Sequence, residues 1–327
     1  MSEGGALINL GDISKPATVL NEEPRSKLRG IGYRIPYGSL RSPDRRSPRG
    51  AGNIPAVIEK ISDAVGGIAK PWQLKRVAKA EAEANLIRAQ AKIEISDMEQ
   101  RALIRMVHEE GRKQENIENI TAKAIPHLSP ESKPEQIERD WLTHFFDRSR
   151  LVSDHEMQSL WSNILAGQAN NPGTFSKRTV DIVATLDKAD AQLFTKFCTF
   201  VWMVGGPTAM VLEEQHDVFN RAGINFSTLN HLDDLGLITF NNLTGFIRRG
   251  LGKYTTVFYY GQPLAIEFPQ DENELQIGKV LLTRSGQELA TVCGSVASDE
   301  YFKYVLDKWI NQGYILSSSV VAHRGAA

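Results

Sequence analysis

The chain has 327 residues, 41% of them hydrophobic, so it can bury at least one sizeable core and is long enough for roughly two or three structural units. Its formal net charge of -1 at pH 7 argues against a protein that coats nucleic acid as a whole, although local charge could still do so. Cys198 and Cys293 lie in apolar sequence without CxxC or Cys/His spacing. This pattern predicts buried thiols in a reducing compartment.

The first residues show no secretion signal. The segment MSEGGALINLGDISKP lacks a basic stretch followed by an apolar one, so we expect a cytoplasmic protein. The longest uncharged run, residues 197–212, falls short of the roughly 20 apolar residues that cross a bilayer. It contains Gly205, Gly206 and Pro207, and we predict a core helix that ends at this sequence.

Residues 1–52 form a proline-rich, basic segment without a sustained apolar period, which predicts a disordered tail. Tyr33 and Tyr37 are interleaved with the basic residues, and Asp44 is the only acid among residues 25–49. The segment could neutralise phosphates or an anionic membrane surface, or it could be a solvated tail. Its basic residues are Arg25, Lys27, Arg29, Arg34, Arg41, Arg45, Arg46 and Arg49.

Residues 53–128 are predicted to contain two helices. Asn53 caps the first, and the apolar positions of residues 54–70 recur at helical spacing. This amphipathic helix could lie on a membrane, dock on a partner or pack on the protein body. Residues 72–124 contain no proline and one glycine, Gly111, and are rich in Ala, Glu and Arg, which favours a helix about 80 Å long. Its apolar positions keep no strict heptad, so we expect it to pair with another chain or to bend back near Gly111.

Residues 129–210 are predicted to form a bundle of four helices with a shared aromatic core. Ser153 and Glu156 form a candidate capping box for the second helix, and Gly167 is its expected end. Ser176 is placed to cap the third helix. The fourth helix is the one expected to continue to the Gly-Gly-Pro sequence.

Residues 211–315 change character and are predicted to form a small winged-helix-like α+β domain. Residues 316–327 are expected to be a disordered tail. The fold class is therefore predicted to be mainly α, with a long N-terminal helix, a helical bundle and this small domain. Its expected elements are helices over residues 226–235 and 301–310, a helix capped by Thr283, and strands over residues 238–240, 255–260, 264–268 and 277–282.

Several short motifs carry a family resemblance. They are Leu160-Trp161, Ile164-Leu165-Ala166-Gly167, Pro172-Gly173-x-Phe175-Ser176-x-Arg178-Thr179, Leu186, Asp190-Ala191-x-x-Phe194, Leu235-Gly236-Leu237-Ile238 and Leu282-Thr283-x-x-Gly286-x-Glu288-Leu289. With them, residues 135–310 resemble the bacterial family catalogued as domain of unknown function 2806. The resemblance implies a bacterial, non-catalytic protein carried on mobile elements or defence loci, and it transfers no catalytic residues. Residues 66–84 are similar to the front of abortive-infection proteins of the alpha type.

The sequence offers no catalytic, cofactor or metal motif. It contains no GxxxxGK[ST], HExxH or GxSxG, and no histidine lies at metal-ligand spacing from a second His or Cys. We therefore expect no enzyme activity, cofactor or metal. Lys177 and Arg178 follow the Ser176 cap, where a positive helix N-terminus could join them in binding an anion. Alternatively, Arg178 bridges the preceding loop to a carboxylate such as Asp181.

The winged-helix-like region contains the residues that we predict for DNA contact. Polar residues on a helix and basic residues on a wing suit groove and phosphate contacts. Asp233 and Asp234 on the same helix count against this interpretation. The helix residues are Ser227, Thr228, Asn230 and His231, and the wing residues are Arg248, Arg249 and Lys253.

Three functions follow as hypotheses. The leading one is a non-enzymatic interaction protein in phage defence, which assembles through residues 72–124 and presents its C-terminal domain to a protein partner. The first alternative is a DNA-binding regulator that uses the winged-helix-like domain and the basic tail. The second is a membrane-perturbing effector that inserts residues 54–70.

Overall fold

The computed structural model describes Glu59 and residues 97–269 and 273–318. Every statement about structure below concerns these residues. The predictions that lie outside them are the basic tail of residues 1–52, the amphipathic helix of residues 54–70 apart from Glu59, the long helix over residues 72–96, and the end of the C-terminal tail at residues 319–327.

The first long helix of the described residues, α1, covers Asp97–Ala124, a length of about 42 Å. A 3-10 turn at Ile125–His127 follows it, so the predicted end of the helix at residue 124 is confirmed. The helix is continuous through Gly111, so of the two predicted alternatives the one in which it bends back there is wrong. One glycine costs a helix only about 1 kcal/mol relative to alanine, which the good helix formers around it outweigh.

Four helices follow, as predicted. Phe145 lies at the centre of their aromatic core, with its ring centroid 5.1 Å from the rings of both Trp141 and Trp161. All three side chains are buried. The helices are α2, Arg139–Ser149; α3, His155–Asn170; α4, Lys177–Thr185; and α5, Lys188–Cys198; a 3-10 turn at Pro134–Gln136 precedes them.

The helix caps agree only in part with the sequence. Ser176 caps α4 as predicted, since its hydroxyl accepts the Thr179 N–H at 3.3 Å. The predicted Ser153 cap of α3 is wrong: the Asp154 carboxylate accepts the first free N–H groups instead. A carboxylate also complements the positive end of the helix, which a hydroxyl does less well.

Gly167 does not end α3, which continues to Asn170. A Cβ atom built on Gly167 would lie 2.7 Å from Cε2 of Phe175. Glycine is therefore needed at this position because the loop before α4 packs its aromatic ring directly on the helix backbone.

The prediction that a core helix continues to the Gly-Gly-Pro sequence at residues 205–207 is wrong. Helix α5 stops at Cys198, and two antiparallel strands follow, β1 at Val201–Met203 and β2 at Pro207–Ala209. Gly205, at a φ of +67°, supplies the left-handed turn between them. The apolar run is buried as a hairpin of the core, with Trp202 fully enclosed.

The C-terminal part combines helices and strands, and most of its predicted elements are confirmed. The strand predicted over residues 277–282 is two strands, Asn273–Gly278 and Val280–Leu282. The helix Asp217–Asn220 and the strand Phe246–Leu251 were not predicted, and the strand Ile315–Ser318 overlaps the expected disordered tail. The elements are α6, Asp217–Asn220; α7, Phe226–Asp234; β3, Ile238–Phe240; β4, Phe246–Leu251; β5, Tyr254–Tyr259; β6, Gln262–Glu267; β7, Asn273–Gly278; β8, Val280–Leu282; α8, Arg284–Ala290; α9, Asp299–Asn311; and β9, Ile315–Ser318.

A five-stranded antiparallel sheet joins the two parts of the chain. Its strand order is β2-β1-β5-β6-β9, and two strand pairs, β3-β8 and β4-β7, complete the β-structure. The predicted boundary between the bundle and the C-terminal domain, at residue 210, divides this sheet. Strands β1 and β2 come before it, and strands β5, β6 and β9 come after it.

Trp202 of β1 is the centre of the core around this sheet. Its ring lies 5.0 Å from Trp309 of α9 and 4.9 Å from Tyr259 of β5, and its indole N–H donates to the Tyr301 hydroxyl at 3.0 Å. The described residues are about 52% helical and 19% strand. The fold is thus mixed α+β, and the prediction of a mainly helical protein understated its strand content.

Candidate functional site

The polar residues predicted for DNA contact on α7 have structural partners. Thr228 forms a reciprocal cap with Asn225, whose N–H donates to the Thr228 hydroxyl at 2.9 Å. The Asn230 amide donates to the carbonyl of Phe226 at 2.8 Å. Ser227 is exposed. Two of the four predicted helix residues therefore hold the helix itself together.

His231 faces α5. Its Nε2 lies 2.7 Å from Oδ1 of Asp190, and the other oxygen of this mostly buried carboxylate accepts the Asp187 N–H at 3.0 Å. The pair ties α7 to the first turn of α5. The motif residue Asp190 thus has a structural role, and no short-range sequence signal connects it to a histidine 41 residues away.

The predicted wing residues lie on and after β4. Arg249 pairs with Glu274 at 2.7 Å, and Lys253 lies 3.7 Å from Glu267. Arg248 lies against the backbone of Gly205 in the β1-β2 turn. Neighbouring carboxylates thus offset part of the positive charge that this strand pair would present.

The N-terminus of α4 already has a negative group. Oε2 of Glu288, on α8, accepts the Ser176 N–H at 2.8 Å and the Thr179 hydroxyl at 2.6 Å. An external anion held by Lys177 and Arg178 would have to share the helix terminus with this carboxylate. Both side chains are exposed.

Asp181, the expected partner of Arg178, faces α2 instead. Its Oδ1 lies 3.0 Å from both Nε of Arg148 and Nε2 of His144. Sequence alone did not identify Glu288 or these α2 residues, because each contact joins positions more than 30 residues apart.

Helix α1 has two different halves. Its C-terminal half packs on α3, where Ile120 and Ala124 are fully buried. Asn116 extends this contact: its amide donates to the Arg150 carbonyl at 2.9 Å and accepts from Gln158 at 3.2 Å. This end of the helix is therefore fixed to the body.

The N-terminal half of α1 extends beyond its contact with α3, and several of its apolar side chains are exposed to solvent. Each residue of a helix turns about 100° around its axis, so Leu103 and Met106 point within about 40° of the side on which Ile117 lies. Ile117 is buried. Met106 is nevertheless 61% exposed, and Val107 at the edge of the same strip is partly exposed. We call Leu103, Met106 and Val107 the outer face of α1.

Charges of both signs accompany the outer face. Glu110 and Lys113 lie along the same line of the helix and pair at 2.6 Å. The lysine hydrogen bond lowers the pKa of the Glu110 carboxyl. An apolar strip flanked by both charges is suited to contact a surface of the same composition.

An open groove of about 370 Å³ runs beside α9. Tyr304 forms part of its lining, and burial raises the pKa of its phenol. The Lys308 ammonium pairs with Glu213 at 2.6 Å at the edge of the groove. Within residues 97–269 and 273–318, no three His, Cys, Asp or Glu side chains lie together in a way that could hold a metal ion.

The fold and its contacts define a mixed α+β protein, and the N-terminal half of its helix α1 carries exposed apolar side chains. Comparison with known protein families matches residues 100–306 to a protein of unknown function, DUF2806, and the chain belongs to this family. The match begins inside α1 and ends inside α9, so the helix is part of the family domain and not a separate preceding segment. No curated protein and no solved structure matches the chain.

The predicted likeness of residues 66–84 to abortive-infection proteins lies outside both the matched and the described residues. Among the helices that the structure describes, none combines the length and apolar character needed to cross a bilayer.

Proposed function

We propose that this protein is a non-enzymatic assembly protein that associates with a second copy of itself through the outer face of α1. The observation that carries the proposal is the exposure of Met106 on the same line of the helix that is buried at Ile117. A helix anchored at one end holds this strip in a fixed direction. It therefore presents an ordered apolar surface at little conformational cost.

Self-association fits the composition of the strip better than a highly charged partner does. A two-fold interface joins the same patch of two subunits, so it needs a patch that complements itself. The outer face combines apolar side chains with Glu110 and Lys113, which can exchange partners across such an axis. The sequence upstream, residues 72–96, has the helical composition to extend the contact.

The test is the molar mass of the intact chain by size-exclusion chromatography with light scattering. We expect a dimer or a larger assembly for the natural chain, and a shift towards monomer for Leu103→Glu/Met106→Glu, because the change introduces four like charges into a two-fold interface. A natural chain that is monomeric at tens of micromolar contradicts the proposal.

His108→Glu is the matched control. His108 lies on the opposite side of α1, about 180° from Ile117, and is also exposed. A negative charge placed there should leave the mass unchanged. If both variants lower the mass equally, the outer face is not the interface.

In the same proposal, the C-terminal part presents a surface to a protein partner. Its support for a winged-helix arrangement is the order of α7, β3 and β8, with β3 and β8 antiparallel and the β4-β7 pair as a wing; the intervening strands β5 and β6 belong to the five-stranded sheet. Phage defence as the setting, and residues 54–70 as a membrane segment, stay predictions.

DNA binding through α7 and β4 is the alternative function. Arg248, Arg249 and Lys253 are its basic groups, and the basic tail would add to them. Phosphate contacts make affinity fall steeply with salt, so a salt titration with a duplex of random sequence tests it. Lack of binding at low salt would end this alternative.

A further inference from the structure

A single line along α1 joins its exposed surface to its buried one. Ile117 is buried, and four residues nearer the N-terminus point within about 40° of the same side of the helix. Their positions alternate between spacings of three and four residues, which is typical of a helix that packs lengthwise on another helix. They are Leu103, Met106, Glu110 and Lys113. We call this line, from residue 97 to residue 124, the seam of α1.

Helix α3 covers only the C-terminal part of the seam. All buried residues of α1 lie at or after position 116, and none of residues 97–115 is buried. The open part of the seam is therefore about 28 Å long. The buried residues are Asn116, Ile117, Ile120, Thr121 and Ala124.

A parallel pair of α1 helices would bring two copies of α3 into the same space. Helices that pack on each other lie about 8–10 Å apart. In a parallel two-fold pair, the seam of one copy faces the seam of the other along the whole helix. From Asn116 onward, however, this side of α1 already packs on α3. The two helices would have to diverge within about 15 Å of Met106, which leaves little contact between them.

The charges of the seam also oppose a parallel pair. Glu110 would face Glu110 of the second copy, and Lys113 would face Lys113, and such like-charge contacts disfavour an arrangement. In an antiparallel pair centred on Met106, positions equally far from Met106 in opposite directions face each other. Lys113, which pairs with Glu110 of its own chain at 2.6 Å, then also approaches Glu99 of the second copy.

We propose that two copies of this chain pair through α1 in antiparallel orientation, with Met106 of both copies at the two-fold axis. The proposal rests on the self-association proposed above and adds its direction and its register. The open part of one seam, residues 97–115, lies along the open part of the other. The body of each copy then lies beyond the N-terminal end of the other copy's α1, so the two copies of α3 stay apart.

Disulfide cross-linking of the full-length chain tests the orientation. Oxidised Met106→Cys should give a covalent dimer, because its two side chains meet at the axis. Lys113→Cys alone should give little dimer, because its two copies would lie about 21 Å apart along the helix pair, too far for a disulfide. A mixture of Glu99→Cys and Lys113→Cys chains should give the mixed dimer in several-fold excess over either homodimer. His108→Cys, on the opposite side of α1, is the control that should not cross-link.

The two native cysteines lie outside α1, and mass spectrometry of the linked peptides separates them from the introduced ones. Cys198 is buried and Cys293 is half-buried, so the prediction of a buried thiol is confirmed for Cys198 only.

The possible outcomes separate this proposal from the one on which it rests. If Lys113→Cys forms a homodimer as readily as Met106→Cys does, the helices pair in parallel, and only the antiparallel arrangement is overturned. If Met106→Cys does not cross-link, the outer face of α1 is not the interface, and both proposals fail. A dimeric mass of the natural chain in that case would place its interface on another surface.

Discussion

At the scale of the residue, Glu288 shows how one side chain can complete a distant helix. It lies on α8, yet its carboxylate accepts hydrogen bonds from Ser176 and Thr179 at the start of α4. Arg284 contacts its other oxygen at 3.0 Å. The motif residues Ser176, Thr179 and Glu288 therefore form one structural unit.

Glu288→Ala should lower the free energy of unfolding by about 2–4 kcal/mol, because it leaves the Ser176 N–H and the Thr179 hydroxyl without their charged acceptor. Urea denaturation followed by circular dichroism measures the change. Arg284→Ala is the control: the Arg284 side chain is 81% exposed, so its loss should cost less than about 1 kcal/mol. Equal losses for the two variants would contradict this role of Glu288.

Two glycines of the long helices should respond in opposite ways to alanine. Gly167→Ala should destabilise the protein by about 1–3 kcal/mol, because the new methyl group overlaps the Phe175 ring. Gly111→Ala meets no atom within 4 Å and should stabilise α1 by about 0.5–1 kcal/mol. Melting temperatures of the two variants, measured side by side, check the signs, and a stabilising Gly167→Ala would show that Phe175 is not packed on α3.

At the scale of the element, α1 is one continuous helix with two environments. Its packing on α3 fixes the C-terminal half, and its outer face continues past the body. Ion pairs one turn apart stabilise this projecting part: Arg105 pairs with Glu109 at 3.7 Å, and Glu110 pairs with Lys113 at 2.6 Å. The element is therefore both a part of the core and an exposed surface.

Ile120→Ala and Ile104→Ala remove the same atoms from the two environments of α1. Ile120 is fully buried and Ile104 is 38% exposed, so we expect losses of about 2–4 kcal/mol and less than about 1 kcal/mol, respectively. Chemical denaturation of each variant measures them. Similar losses would mean that the N-terminal half is also packed in solution, for example inside a larger interface than the outer face.

At the scale of the whole molecule, one aromatic core joins the helices to the sheet. Trp202, Tyr259 and Tyr301 bring β1, β5 and α9 together. Burial raises the pKa of Tyr259 to about 12 and also raises the pKa of Tyr301. The core therefore excludes the charged form of its tyrosines.

This exclusion predicts loss of stability at alkaline pH. An unfolded tyrosine has a pKa of about 10, so between pH 10 and about 12 the unfolded chain releases protons that the folded core keeps. The stabilising contribution is complete below pH 10 and is lost as the pH rises through this window. Urea denaturation at pH 8, 10 and 11 should show a falling free energy of unfolding, with a smaller fall for Tyr259→Phe. A free energy that stays level up to pH 11 would contradict the prediction.

The sequence predicted the helical elements better than the boundaries between folding units. Amphipathic spacing and caps such as Ser176 and Thr283 located α2 to α5, α8 and α9, because these signals act within one or two turns. The hairpin of β1 and β2 was missed, since an uncharged run such as residues 197–212 suits a buried helix and a buried strand equally well. Partner strands from residues 254–267 settled that choice.

The candidate sites depended even more on the fold. The sequence indicated α1 as an assembly element but could not show that Met106 is exposed while Ile117 is covered by α3. His231 was predicted for DNA contact, and its pairing with Asp190 emerged only from the packing of α7 on α5.

By itself, the sequence determined the helical character of residues 97–198, the caps Ser176 and Thr283, most of the strands after residue 235 and the family motifs. These features follow from periodicity and hydrogen bonding between near neighbours in the chain. Only the tertiary structure decided which faces are buried, how the sheet joins the two parts, and which charged side chains pair. Those outcomes depend on burial and on contacts between distant residues, and local sequence patterns do not specify either.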